Sequence, residues 1–339
     1  MLTRSSCHGD RGIEYSIIDF ASTARDAHEV QRHIASWLNS DEMADLLALF
    51  GRSLTASTVG KRLAEADEIS RDIFDFRRGG ERWEATKREF SPHTAEAVSG
   101  LIGRIYYNPQ NLPMIELGEP THGLVLGGTL NSCLLRAELL GDLLKQGLRP
   151  GHIWGLGSRR TAVDMEHEVA TKLCIGPVTD ELDAMCAALS YALCLPATTA
   201  KDHGRSLSEV RQLAVSPIPV TGLAAQAGRG SVRATTSDTY RFFLETAKPI
   251  TEDDRILIIT SAIHAPFQHA QALAELSLPT GATIISVGAH ARTGKQALIR
   301  GEWTTAEWLQ EIRSAIWSMR VMYDKLVSAY PGLGDTEAC

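Results

Sequence analysis

Four short stretches hold the residue types that chemistry needs. Residues 123–136 read Gly-Leu-Val-Leu-Gly-Gly-Thr-Leu-Asn-Ser-Cys-Leu-Leu-Arg. An apolar run stops at Gly127 and Gly128, the polar Thr129 and Asn131 follow, and a helical pattern begins near Leu134. Glycines without a Cβ let a backbone approach a ligand closely, and the amides of a helix start favour an anionic or strongly polar group. The spacing is not the G-x-G-x-x-G fingerprint, and the stretch lacks the lysine of a phosphate-binding P-loop. An ordinary strand-to-helix turn therefore stands beside the ligand-binding reading.

The second stretch is Gly157-Ser158-Arg159-Arg160. Guanidinium groups suit a carboxylate or phosphate because they offer two parallel hydrogen bonds; the alternative is a solvated surface pair. The third is Thr235–Thr239, where Thr236, Ser237 and Asp238 have the chemistry either to hydrogen-bond a ligand or to cap a helix. The fourth contains Ser261, His264, Gln268 and His269. His264, just past an apolar run, is the candidate general acid/base, since imidazole titrates near neutrality. Gln268 and His269 either share its cleft or run along an exposed helix. Glu166 and Glu168 are the candidate carboxylates. Neither a G-x-S-x-G elbow nor an H-E-x-x-H zinc motif is present, which argues against those hydrolases.

These residues need a frame that brings them together. Short apolar runs at 123–126, 153–156, 232–234, 256–259 and 283–287 predict strands, and helical spacing falls between them. Alternating strands and helices predict a parallel sheet with right-handed crossovers and helices on both faces, a Rossmann-like α/β fold. All carboxyl ends of such a sheet face one way, and ligands bind there. Residues 1–20 have no clear pattern. Residues 23–50 read as two helices, 57–78 as a third and 94–107 as a fourth. The expected organisation is a helical N-terminal region over 1–109 and a Rossmann-like domain over 110–300. A long C-terminal helix within 301–339 packs on that core. Segment 176–229 begins with a helix at 180–194 and then loses periodicity. It reads as an insertion, a lid or flap, because long patternless loops in compact domains are usually functional or poorly ordered.

Composition bounds the rest. Of 339 residues, 44% are hydrophobic and 22% charged, as in a water-soluble globular protein. A net charge of −7 argues against a surface built for nonspecific nucleic-acid binding. The six cysteines form no C-x-x-C pair, so no metal is expected, and their spread fits a reducing compartment. No stretch has the apolar core of a signal peptide or the ~20 apolar residues that cross a bilayer. A cytoplasmic location is expected, with no membrane partner; the oligomeric state stays open.

The ordered motifs "NLPMIELGEPTHGLVLGG", "RAELLGDLLKQG", "IWGLGSRR", "MEHEVATKL", "TTSDTYRFFLE" and "ILIITSAIHAPFQHAQAL" resemble the YdcF/SanA/ElyC-like proteins over about 110–176 and 230–290. The resemblance implies a Rossmann-like core with Gly127, Gly128, Arg136, Gly157, Glu168, Thr236, Ser237, Thr260, Ser261 and His264 as matching positions. Ser237-Asp238-Thr239 departs from the family's Glu-Asn pair, and Phe267-Gln268-His269 displaces its usual basic residue. A member of that family binds S-adenosylmethionine, and others are linked to cell-envelope work.

Together these readings predict a cytoplasmic group transferase of small-molecule metabolism. A nucleotide-like ligand such as S-adenosylmethionine would lie across Gly127, Gly128, Thr129, Asn131, Thr236, Ser237 and Ser261, with His264 as acid/base. Glu168 would position an amine or ribose hydroxyl. Arg136, Ser158, Arg159, Arg160, Asp238, Gln268 and His269 would meet a substrate carrying an anionic group. The alternatives are a non-catalytic ligand-binding or regulatory protein, and a transferase using an aminoacylated RNA donor. The basic residues Lys61, Arg62, Arg77, Arg78, Arg82, Lys87 and Arg88 leave room for the last.

Overall fold

From His122 onward the computed structural model interleaves strands with helices, except where the helix Asp164–Leu173 is followed by the helix Glu181–Ala192 and the strand Glu209–Ala214 by the strand Val220–Ala225. It describes residues 15–18, 20–77, 88–106, 118–195, 208–228, 233–290 and 302–333. The strands are β1 (Tyr15–Ile17), β2 (His122–Leu126), β3 (His152–Ser158), β4 (Glu209–Ala214), β5 (Val220–Ala225), β6 (Arg255–Ser261) and β7 (Thr283–Ala289). They form one sheet in the order β1-β7-β6-β2-β3-β5-β4. The five central strands are parallel, and β1 and β4 close the two edges antiparallel. The chain winds outward from β2 through β3 to β5, then returns to β6 on the other side of β2. The order therefore reverses between β2 and β6, where open α/β sheets form their ligand crevice.

Both faces are covered, as a parallel sheet requires. Side chains alternate along each strand. Leu124, Leu126, Ile256 and Ile258 enter one core, Val125, Leu257 and Ile259 the other. The second core holds α5 (Leu130–Lys145), α6 (Asp164–Leu173) and α7 (Glu181–Ala192). At Gly155 a Cβ would lie 2.6 Å from Met185 Cγ and Leu189 Cδ1, so the missing side chain lets α7 sit close to β3.

The first core holds the helical front and the later helices. The front comprises α1 (Ala27–Leu38), α2 (Asp41–Ala48), α3 (Val59–Phe74) and α4 (Pro92–Tyr106). Residues Val30, Ile34 and Leu38 on α1 and Met43, Leu46 and Leu47 on α2 are buried, as their spacing predicts. The later helices are α8 (Thr236–Thr246), α9 (Ala265–Ala272), which runs on through one π turn into the short α10 (Leu278–Thr280), and α11 (Thr305–Ala329). Thr304 and Glu307 start α11 with a capping box. Among the described residues, no helix is long and apolar enough to cross a membrane.

Three local expectations change. Tyr15–Ile17, in a stretch without pattern, pairs with β7. The supposed flap contains β4 and β5, and β5 is buried along its whole length within the sheet. Its sequence, Val-Thr-Gly-Leu-Ala-Ala, is too short and small to stand out by hydropathy, yet small residues are what a strand packed under α7 needs. The strand expected at 232–234 is absent where described: residues 233–235 lead into α8. Residues 196–207 and 229–232 lie outside the described residues.

Candidate functional site

The loops after β2, β3, β5 and β6 all lie on the carboxyl edge, because those strands are parallel. At the crevice between β2 and β6, the glycine turn is held from two sides. Arg136 on α5 is 1% exposed. Its Nη1 donates to the Leu126 carbonyl at 2.7 Å and to the Gly127 carbonyl, and its Nε donates to Ser261 Oγ at 3.1 Å. One side chain thus pins the tip of β2 to the tip of β6. From the other side, Arg160 Nη2 donates to the Gly128 carbonyl at 3.2 Å. The same guanidinium grips Glu166 through Nη1–Oε2 at 2.8 Å and Nη2–Oε1 at 2.9 Å. Glu166 then accepts the Leu130 amide at 2.7 Å and the Val163 amide at 3.0 Å.

Burial alone would raise the Glu166 pKa, but the bonds from Arg160, Val163 and Leu130 outweigh it and hold the carboxyl below its usual range. Thr129, the residue before α5, contributes no side-chain cap, and a helix leaves its first-turn amides without internal partners. Asn131 lies half-buried in that turn, with its Oδ1 enclosed and unbonded. Cys133 behind it is inert, its thiol pushed up to about 12 by burial.

A residue that the sequence did not single out completes the crevice. Glu181 opens α7 and lies across the tips of β2 and β3. Its amide donates to the Arg160 carbonyl at 3.0 Å. Its Oε2 accepts from Ser158 Oγ. Its Oε1 would sit 2.5 Å from a Cβ at Gly127, a Cβ that would also run into the Leu156 carbonyl. Gly127 is therefore glycine because this carboxyl and this strand end leave no room for a side chain. Glu181 is half-buried, with its carboxyl packed among protein groups. The enclosure raises its pKa, and the Ser158 bond and the charges of Arg160, Arg233 and Arg136 only partly offset that.

The neighbouring arginines diverge. Arg160 faces the turn. Arg159 instead pairs with Asp180 at 2.6 Å and with Glu209, and Arg211 ties Glu209 at 2.9 Å to Asp183 at 2.8 Å. Arg159 thus fastens the edge strand β4 to the start of α7. Its expected substrate role gives way to a structural one, because successive residues of an extended chain point to opposite sides. Arg136, likewise expected to meet substrate, is committed inside the protein to the strand tips.

Other expected residues fall elsewhere. Glu168 is exposed, with Lys172 at 4.0 Å on the outer face of α6. Asp238 forms a capping box with Thr235, and Thr236 and Ser237 stand half-buried in the first turn of α8, the helix that follows β5. Gln268 bonds Thr260 Oγ1 inside the core, 4% exposed. His269, 2% exposed, bonds Ser286 Oγ and the Ala21 carbonyl, each at 2.9 Å. Both belong to the packing of α9 on the sheet and not to the cleft. His264 follows β6, 8% exposed, with Nδ1 3.4 Å from Glu311 Oε2 of α11. It is the one expected acid/base placed beside a buried carboxyl.

His269 yields a prediction. Burial lowers its pKa from 6.5 to about 4, the Ala21 carbonyl opposing and His33 adding to the shift. At the amino edge of β3, burial and then the nearby His122 lower His152 to about 4 as well. A depressed histidine is neutral in the fold, so acid protonates the unfolded chain first. Its stabilising contribution is complete above 6.5, falls as pH drops toward 4, and changes no further below that. His269 alone accounts for about 3 kcal/mol across that window. Carboxyls with lowered pKa values, such as Glu166, lose their contribution only below their unfolded values, and Glu181 acts in the opposite sense. Urea midpoints from pH 7 to 4.5 should therefore fall, and His269→Gln should flatten the slope. An unchanged slope in that variant would refute the assignment.

Comparison with known proteins places the helical front and corrects one expectation. Residues 21–105 match the family model described as the Rv3785 N-terminal domain, an interval spanning α1 to α3 and nearly all of α4. The chain is 25% identical over 325 residues to the uncharacterized protein Rv3785 of Mycobacterium tuberculosis (strain H37Rv), covering 86% of this chain and 89% of the relative. The uncharacterized protein Mb3814 of Mycobacterium bovis matches to the same extent. No solved structure matches the chain. These findings overturn the resemblance to the YdcF/SanA/ElyC-like proteins: both the matching family and the relatives are of the Rv3785 type. The short ordered motifs behind that resemblance are what a parallel α/β core produces at its strand ends, and residue roles inferred from it alone lose their support.

Proposed function

We propose that the protein is a cytoplasmic small-molecule enzyme of the group-transfer type. It binds a nucleotide-like ligand, with S-adenosylmethionine as the representative, at the carboxyl ends of β2, β3 and β6. One observation carries this reading. A glycine turn, clamped by Arg136 and by Arg160 with Glu166, lies at the point where the strand order reverses. A turn fixed in advance loses little freedom when a ligand binds, which favours affinity. The bound ligand would supply the transferable group. His264, with Glu311 behind it, is the group that would move a proton at the edge of β6. Its low exposure is also the observation that favours the alternative, a protein that binds its ligand without turning it over.

The test is calorimetry and thermal shift with S-adenosylmethionine, S-adenosylhomocysteine, adenosine and ATP. A ligand at a hundred times its Kd adds about 2.7 kcal/mol of stability, so a clear rise in Tm is expected for at least one of the four. If none binds at millimolar concentration, the reading fails. If one binds, His264→Ala should abolish turnover of a competent substrate while leaving binding within a few fold.

A further inference from the structure

Beside the glycine turn lies a half-buried carboxyl, Glu181. Glu181 could be satisfied structurally by a glutamine, which would keep a bond with Ser158 and the same length of side chain. Instead an acid sits there, enclosed by protein, with one oxygen on Ser158 and the other turned to the face of Gly127. Three features fix its place. The Glu181 amide is bonded to the Arg160 carbonyl, Asp180 caps α7 by accepting the Asp183 amide at 2.9 Å, and the Glu181 backbone would lie 3.4 Å from a Cβ at Gly157. The carboxyl is therefore held beside the glycine turn, at the tip of the second strand of the Rossmann-like half. In dinucleotide-binding sheets, an acid at that place accepts hydrogen bonds from ribose hydroxyls. Here it arrives from the start of α7, because β3 itself ends in Ser158 and two arginines.

We propose that Glu181 is the ligand-selecting residue of this site and that its Oε1 accepts hydrogen bonds from the vicinal hydroxyls of a ribose-type ligand seated beside the glycine turn. The proposal rests on the reading of the crevice as a nucleotide-like site and names the part of the ligand recognised there. Gly127 leaves room for the carboxyl itself, Ser158 orients it, and Arg160 with Glu166 keeps the turn from moving away. Burial raises the Glu181 pKa, and the Ser158 bond and the charges of Arg160, Arg233 and Arg136 oppose that shift.

The experiment compares adenosine and S-adenosylhomocysteine with their 2′-deoxy and 3′-deoxy forms on the wild-type protein, then repeats the series on Glu181→Gln, by calorimetry and Tm. The expected result has three parts. Deoxy forms bind the wild type about tenfold to a hundredfold more weakly, the range for a hydrogen bond to a charged group. Glu181→Gln loses most of that discrimination. Its ligand-free Tm equals or exceeds that of the wild type. Equal affinity for ribose and deoxyribose forms on the wild type overturns the proposal without touching the ligand reading. Undiminished discrimination in Glu181→Gln does the same. If none of the compounds binds the wild type, the ligand reading and this proposal fall together. Because the first comparison uses no variant, it decides the matter even where the substituted protein folds poorly.

Discussion

Replacing Arg136 by alanine is expected to destabilise the protein by about 3–5 kcal/mol, the range for deleting one member of a buried charged network. The side chain is 1% exposed and is the largest fully buried one among the described residues. Its removal leaves the Leu126 and Gly127 carbonyls and Ser261 Oγ without the guanidinium that they now share. Each loses a charged donor in a place where water does not substitute freely. The loss also falls between β2 and β6, the two strands that flank the proposed crevice. Arg136→Lys is the informative companion. It keeps the charge but has a single ammonium in place of the planar fork, and it does not reach both strand tips in one geometry. It should recover less than half of the lost stability and still bind ligand weakly. Urea unfolding of both variants with calorimetry on the folded fraction measures this. An Arg136→Ala protein within about 1 kcal/mol of wild type would mean that the turn holds its own shape, and the clamp would lose its meaning.

The parts of this architecture that announce themselves in sequence are those governed by local pattern. The apolar run into Gly127-Gly128, the run Ile256–Ile259 before Ser261 and the spacing of α1, α2 and α11 were all legible, because periodic burial writes itself directly into residue order. The crevice was legible only in outline. Glu166 and Glu168 are two positions apart on one helix, hence about 200° apart around its axis. One therefore grips Arg160 and the other reaches solvent, and composition alone does not say which. Arg159 and Arg160 divide in the same way on an extended segment. Glu181 left no signal, since an acid at a helix start is an ordinary preference. Its distinction comes from Ser158 and Gly127, which are 23 and 54 positions away in the chain. The strand β5 escaped notice for a related reason: its small residues fit the underside of α7, a constraint that lies in the partner helix. Among the basic residues considered for RNA, Arg77 donates to Ser314 Oγ of α11 and Arg62 to the Ala56 carbonyl, so both have structural work. Arg78, Arg82 and Lys87 lie outside the described residues.

Asp67 is the second position where a large loss is expected. It lies on α3, 1% exposed, and three guanidinium groups converge on it: Arg71 at 2.7 Å, Arg313 at 2.6 Å and Arg320 at 2.7 Å. Two of these come from α11, so a single carboxylate fastens the helical front to the C-terminal helix. Alanine there would remove the shared anion and bring three like charges together. Arg71 and Arg320 are 58% and 40% exposed and can turn to water; Arg313, at 12%, cannot do so as readily. The cost should therefore come mostly from Arg313, about 3–4 kcal/mol for a buried charge left without its partner. The outer two pairs should add little, as exposed ion pairs do. Asp67→Ala with Arg313→Met tests that division. If the buried charge is what hurts, removing it as well should restore at least half of the stability lost in the single variant. The same pair of variants also reports on how the protein unfolds. Gln310 accepts from the Phe76 and Arg77 amides at 2.8 and 3.2 Å, so α3 and α11 stay joined at one end when Asp67 is lost. A single cooperative transition at lower urea is expected, and the appearance of two transitions would show that Asp67 alone couples the front to the sheet.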